Sequence, residues 1–212
     1  MGLFLDSARI EEVQKAVELG FLSGVTTNPT IMAKAKGQPK EITRQICAIS
    51  PGPVFYQVTA KTPAEREREG REFFGVNPEK VVLKIPATTE NMALIAKFSL
   101  DIPCAATAVY SGHQTLVACE AGARYVIPYV NRATRLFGDG CKLVAEMAAV
   151  LRASGRDVAI LAASIKSADE ATQAILAGAN HLTLPMDVLL GLGNHTLSDA
   201  AIEEFGRAGQ AG

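Results

Sequence analysis

The chain has 212 residues, 48% of them hydrophobic and 20% charged, with a formal net charge of -1. That balance lies far from the regime of disordered chains and fits one domain of the larger sort, spanning residues 1–212. Interspersed charges near neutrality exclude a footprint for a nucleic-acid backbone or an anionic membrane, so a small, locally recognised ligand is the expected partner.

Short apolar or β-branched runs alternate with helical-period stretches along the whole chain. A strand over Leu3 to Asp6 is followed by a helix over Ile10 to Leu19, and a strand over Gly24 to Thr26 by a helix over Glu41 to Ile49. Next come strand Val54 to Val58 with helix Pro63 to Phe74, strand Val81 to Lys84 with helix Glu90 to Ser99, and strand Cys104 to Ala108 with helix Gly112 to Ala121. Strand Tyr125 to Ile127, helix Asp139 to Arg152, strand Ala159 to Ala162, helix Ser167 to Leu176 and strand His181 to Thr183 complete the rhythm. Asp187 to Leu192 and Asp199 to Phe205 read as two extra helices after the last strand, and the Gly- and Ala-rich tail from Glu203 to Gly212 is not expected to extend a helix well.

Strands alternating with helices imply a parallel sheet with covering helices. Eight such units suit either an open doubly wound sheet or a closed barrel. The first strand ends in Asp6-Ser7-Ala8 rather than the glycine-rich turn of a dinucleotide-binding sheet, which favours a (β/α)8 TIM barrel. Cys47, Cys104, Cys119 and Cys141 form no C-x-x-C pair and read as free thiols of a reducing compartment. The N-terminus has no signal-peptide pattern and no stretch approaches the roughly 20 apolar residues of a membrane span, so the expected location is cytoplasmic.

In such a barrel the active site forms at the C-terminal ends of the strands, and a polar residue stands at nearly every one. Asp6 ends the first strand; Thr26, Thr27 and Asn28 the second; Gln57 the third; Lys84 the fourth; Thr107 the fifth. Tyr129 and Arg132 follow the sixth, and Ser164 and Lys166 the seventh. Lys84 lies in the apolar run Val81-Val82-Leu83-Lys84-Ile85-Pro86, where desolvation disfavours the ammonium and prepares a neutral amine that can attack a carbonyl. Alone, such a lysine reads as a strand-end side chain reaching for solvent, Asp6 as a helix cap and Asn28-Pro29 as a turn; together at one face they read as a site. His113, His181 and His195 lack ligand spacing and no carboxylate cluster accompanies them, so neither a metal nor an organic cofactor is expected.

At these positions the chain resembles the small transaldolase-like proteins, which include transaldolases and fructose-6-phosphate aldolase. The motifs are Phe4-Leu5-Asp6-Ser7-Ala8, Gly24-Val25-Thr26-Thr27-Asn28-Pro29-Thr30, Val82-Leu83-Lys84-Ile85-Pro86, Ala106-Thr107-Ala108-Val109-Tyr110, Pro128-Tyr129-Val130-Asn131-Arg132 and Ala162-Ala163-Ser164-Ile165-Lys166. The resemblance implies a Schiff base on Lys84, proton movement at Asp6, and orientation of substrate hydroxyls by Thr26, Asn28 and Ser164. It implies a phosphate held by Arg132 and Ser164, with a helix starting near Ser167 adding backbone donors. Transaldolases typically carry Glu where this chain has Gln57 and Phe where it has Tyr129, so the resemblance leans to the aldolase, with Gln57, Thr107 and Tyr129 holding a water. His113 and Ser7 depart from the usual residues. The resemblance further implies a homo-oligomer, a pentamer or decamer whose C-terminal helix reaches a neighbouring subunit. A catalytically silent barrel scaffold is the alternative from another class, and intact Lys84, Asp6 and Asn28 argue against it.

Overall fold

A computed structural model describes residues 1–209. Eight parallel strands, β1 (Gly2–Asp6), β2 (Leu22–Thr26), β3 (Val54–Gln57), β4 (Val81–Pro86), β5 (Cys104–Val109), β6 (Tyr125–Pro128), β7 (Ala159–Ala162) and β8 (His181–Leu184), close into a barrel in chain order. The helices, in chain order, are α1 (Ile10–Glu18), α2 (Pro29–Lys34), α3 (Pro39–Ile49), α4 (Pro63–Phe74), α5 (Thr89–Phe98), α6 (Gly112–Glu120), α7 (Val130–Phe137), α8 (Gly140–Ser154), α9 (Ala168–Leu176), α10 (Met186–Gly191) and α11 (Thr196–Gly209). The (β/α)8 barrel read from the sequence is therefore the fold, and each of the eight strands lies where the apolar runs place it.

Local chemistry starts and stops these helices. Asn28, Thr62, Thr88, Ser111, Asp139 and Ser167 each accept a backbone N–H of the first turn through their side chains, and Thr62 forms a reciprocal capping box with Glu65. Gly138 and Gly155 end α7 and α8 in the left-handed conformation. One helix, α7, lies outside the sequence reading, in which its Arg132 is a strand-end polar group; α2 opens at Pro29, where the turn reading of Asn28-Pro29 allows a helix to start. The expectation for the tail is corrected too, because α11 runs through Gly206 to Gly209. One glycine costs a helix about 1 kcal/mol, and the alanines and glutamates around it are good helix formers. Gln210 to Gly212 lie outside the described residues.

The core divides by the two-residue period of the strands. Outward-facing Leu5, Val25, Val54, Tyr56, Leu83, Ile85, Cys104, Val126 and Ile160 join the helices in one large cluster. Inward-facing Phe4, Phe55, Val82, Ala105, Ile127, Leu161 and Ala163 form a second cluster inside the barrel. Phe4 pairs in register with Gly24, and a Cβ there would stand 2.7 Å from the Phe4 ring and 2.4 Å from the Pro53 carbonyl oxygen. The missing side chain of Gly24 is the space the ring occupies. Gly24→Ala should destabilise the fold by about 1 to 3 kcal/mol, read as a lowered denaturant midpoint with an unchanged slope.

Two residues further along five of these strands the interior turns polar. Phe4 is followed on its face by Asp6, Phe55 by Gln57, Val82 by Lys84, Ala105 by Thr107 and Ile127 by Tyr129. An apolar plug thus carries a polar layer at the C-terminal mouth.

Candidate active site

The polar layer opens into a cleft of about 490 Å³ lined by Asp6, Thr26, Asn28, Gln57, Lys84, Tyr129, Arg132, Ser164, Lys166 and Thr183, together with Pro29, Thr30, Ile31, Ile127 and Ala163. Nine of the eleven strand-end residues singled out from the sequence line it. The exceptions are Thr27, which meets Lys84 through its carbonyl oxygen, and Thr107, which is fully buried behind Tyr129 and reaches the site only through the tyrosine hydroxyl, 3.1 Å away. A larger, shallower depression of about 580 Å³ lies at the opposite end of the barrel, where Pro103, Arg124 and Val158 lead into their strands. Its lining contains no lysine, whereas the smaller cleft holds a buried one.

Lys84 stands on the floor of the cleft and is only 4% exposed. Its Nζ donates to the Thr27 carbonyl oxygen at 2.7 Å. Burial pushes its pKa below the ordinary lysine range, and the Asp6 carboxylate opposes this with the smaller effect. A desolvated amine held by one neutral acceptor is a nucleophile in waiting.

Asp6 is oriented by a chain of hydroxyls. Thr26 Oγ1 donates to Asp6 Oδ1 at 2.7 Å and lies 2.6 Å from Thr183 Oγ1. A hydroxyl has one proton, so Thr183 donates to Thr26. The Thr26 hydroxyl is therefore occupied in positioning Asp6. Thr183 is a site residue that the sequence reading missed: it was placed inside the last strand, but its alternation with Leu182 and Leu184 would have assigned it to the interior. Asn28 is also partly committed, because its Oδ1 caps α2 by accepting from Thr30 N and Ile31 N, which leaves its Nδ2 for a ligand.

Gln57 pairs in register with Lys84, and its Oε1 is buried with no hydrogen-bond partner. An unmade bond of that kind costs about 1 to 3 kcal/mol and marks a place for a donor from a ligand or water. Tyr129 has its pKa raised, first by burial, against smaller opposing effects of the Thr107 hydroxyl and the Arg132 guanidinium. The phenol stays protonated across the neutral range. Between Thr107 and Val109 the register with β6 shifts, and the displaced residue, Ala108, has a φ of 56°. This bulge turns the end of β5 and brings the Thr107 hydroxyl to Tyr129.

The remaining corner of the cleft is cationic. Arg132 stacks its guanidinium over the Tyr129 ring at 4.9 Å, and neither it nor Lys166 has an acidic partner among the described residues. Ser164 stands between them with a φ of 60°, a left-handed conformation that costs a non-glycine residue about 1 kcal/mol or more. The expected amide donors near Ser167 are only partly available. The Lys166 amide donates to a carboxylate oxygen of Glu170, and the Glu170 amide to Ser167 Oγ.

Fold and site together define a (β/α)8 barrel with a buried amine, a carboxylate and a cationic corner converging on one small polar cleft. A family described as Transaldolase/Fructose-6-phosphate aldolase matches residues 3–210, and the chain belongs to that family. It is 37% identical to a probable transaldolase of Pelodictyon phaeoclathratiforme, over 97% of this chain and 96% of that protein. It is 39% identical to a probable transaldolase of Dehalococcoides mccartyi, over 97% and 96% of the two chains, and 38% identical to probable transaldolase 1 of Bacillus cereus, over 97% and 95%. Among solved structures, a mandelate oxidase mutant superposes with a TM-score of 0.63 at 14% identity, covering 87% of this chain and 64% of that one, a likeness of fold alone.

Proposed function

We propose that the chain is a class I aldolase that cleaves fructose 6-phosphate, or a closely related ketose, to dihydroxyacetone and glyceraldehyde 3-phosphate, and catalyses the reverse reaction. The observation that carries this reading is the buried Lys84 amine facing the same cleft as the Thr107–Tyr129 hydroxyl pair.

The neutral Lys84 amine attacks the ketone carbon and loses water, leaving an iminium. Asp6, held by Thr26, takes the proton of the C4 hydroxyl as the C3–C4 bond breaks; the bonding pair moves into the iminium and gives an enamine. Arg132, Lys166 and Ser164 hold the phosphate of the departing aldehyde. A proton delivered from Tyr129 through a water bound to Gln57 converts the enamine back to an iminium, and hydrolysis releases dihydroxyacetone and restores the amine. Desolvation around Lys84 supports the first step, and the orphaned Gln57 oxygen supports the placement of water.

A second reading, a transaldolase that passes the three-carbon unit to an aldose, is favoured by the names of the relatives. We read the protein as a homo-oligomer, supported by exposed Leu197, Ile202 and Phe205 on α11, a surface that a second copy of the chain would cover.

A paired assay separates the two reactions. Glyceraldehyde 3-phosphate released from fructose 6-phosphate alone supports the aldolase. Release only after addition of erythrose 4-phosphate assigns the transaldolase.

A further inference from the structure

Glu170, in the first turn of α9, joins the first turn of α7 to the β7–α9 loop, the two segments that carry the cationic corner. Its Oε1 accepts from the Asn131 side-chain amide at 3.1 Å, and its Oε2 accepts from the Lys166 backbone N–H at 2.7 Å. Asn131 immediately precedes Arg132, and its own backbone N–H donates to the Ser164 carbonyl oxygen at 3.1 Å. The segment after β6 is thereby tied to the segment after β7 by main chain on one side and by a carboxylate on the other. Ser164, in its strained conformation, lies inside this loop of bonds.

The chemistry of the pair of bonds is informative. A carboxylate beside an anion site disfavours the anion by charge alone, so Glu170 is poorly suited to assist a phosphate directly. Both of its oxygens are engaged by neutral N–H donors, and it forms no ion pair with Arg132 or Lys166, which leaves those cations for a ligand. We propose that Glu170 is a positioning residue for the anion corner: it fixes the spacing of the first turn of α7 and the β7–α9 loop so that Arg132, Ser164 and Lys166 meet on one phosphate. The inference rests on the phosphate reading of that corner given above.

Charge and position make opposite predictions for Glu170→Ala. Removing the negative charge should tighten phosphate binding if charge were the whole effect. Losing the clamp should weaken it, because neither the Asn131 side-chain amide nor the Lys166 N–H then keeps its acceptor. Calorimetry with sorbitol 6-phosphate, which has no carbonyl and cannot form an iminium, should show binding weakened about tenfold in Glu170→Ala. Borohydride trapping of dihydroxyacetone, which bears no phosphate, should be unchanged. Glu170→Gln removes the charge and keeps the clamp: its oxygen accepts from the Lys166 N–H, and its Nε2 donates to the Asn131 side-chain oxygen once that amide turns over. Affinity for sorbitol 6-phosphate in Glu170→Gln should be at least the starting value. Unchanged or tighter binding in Glu170→Ala, an equal loss in the dihydroxyacetone reaction, or a loss in Glu170→Gln equal to that in Glu170→Ala would overturn the clamp. Arg132→Ala distinguishes this from failure of the underlying reading. If that variant loses affinity and Glu170→Ala does not, only the clamp fails; if the unaltered protein binds sorbitol 6-phosphate no better than sorbitol, the phosphate reading and the clamp fall together.

Discussion

Lys84→Met should lose essentially all turnover, a fall of roughly 10⁴-fold or more, because in the proposed mechanism Lys84 carries the covalent intermediate. Lys166 also lines the cleft, but it is an exposed side chain in the cationic corner. The same substitution carries a signature in stability. The pKa of Lys84 is depressed in the folded state, so between its folded and unfolded values the unfolded chain binds a proton that the folded chain does not. Stability contributed at this position is present above the ordinary lysine pKa, about 10.4, and is lost as pH falls toward the folded value. Thermal unfolding of the two proteins in parallel should therefore shift in favour of the unaltered protein as pH rises through the alkaline range. A difference that is flat with pH would mean that Lys84 is not desolvated as described.

Tyr129→Phe is expected to separate cleavage from transfer. In the proposed mechanism the phenol is the proton donor to the enamine, and loss of a positioned acid typically costs 10²-fold to 10⁴-fold, so aldol cleavage should fall by about 100-fold or more. Carbon–carbon bond breaking at Lys84 and Asp6 remains, and an added aldose can accept the three-carbon unit. Transfer to erythrose 4-phosphate should persist or rise. Thr107→Val, which removes the hydroxyl behind the phenol without changing the side-chain shape, should cause a smaller loss in the same direction. Because burial raises the pKa of Tyr129, the rate should show no fall from tyrosine ionisation up to about pH 10. Equal loss of cleavage and transfer in Tyr129→Phe would remove the tyrosine from the protonation step.

Much of this site is legible in the sequence because a parallel barrel is so regular. On five strands an interior apolar residue is followed two positions later by a polar one at the mouth, which is why Asp6, Gln57 and Lys84 can be found without coordinates. Thr183 follows His181 rather than an apolar residue and sits between Leu182 and Leu184 in a short strand, where a threonine reads as an ordinary β-former. What the sequence does not reveal is how the polar groups are divided among one another. Thr26 and Asn28 look like substrate ligands in the linear chain, yet each commits hydrogen-bonding capacity to a neighbour, one to Asp6 and the other to α2. Glu170 lies 39 residues from Asn131, and no local pattern announces that pairing. The bulge at Ala108 and the strained Ser164 are likewise set by tertiary packing, since neither residue type favours a positive φ.

Borohydride reduction in the presence of fructose 6-phosphate, followed by mass analysis of peptides, tests the covalent chemistry most directly. A three-carbon adduct confined to the peptide containing Lys84 is the expected result. No adduct, or one located on Lys166, would contradict the assignment of the buried amine as the nucleophile.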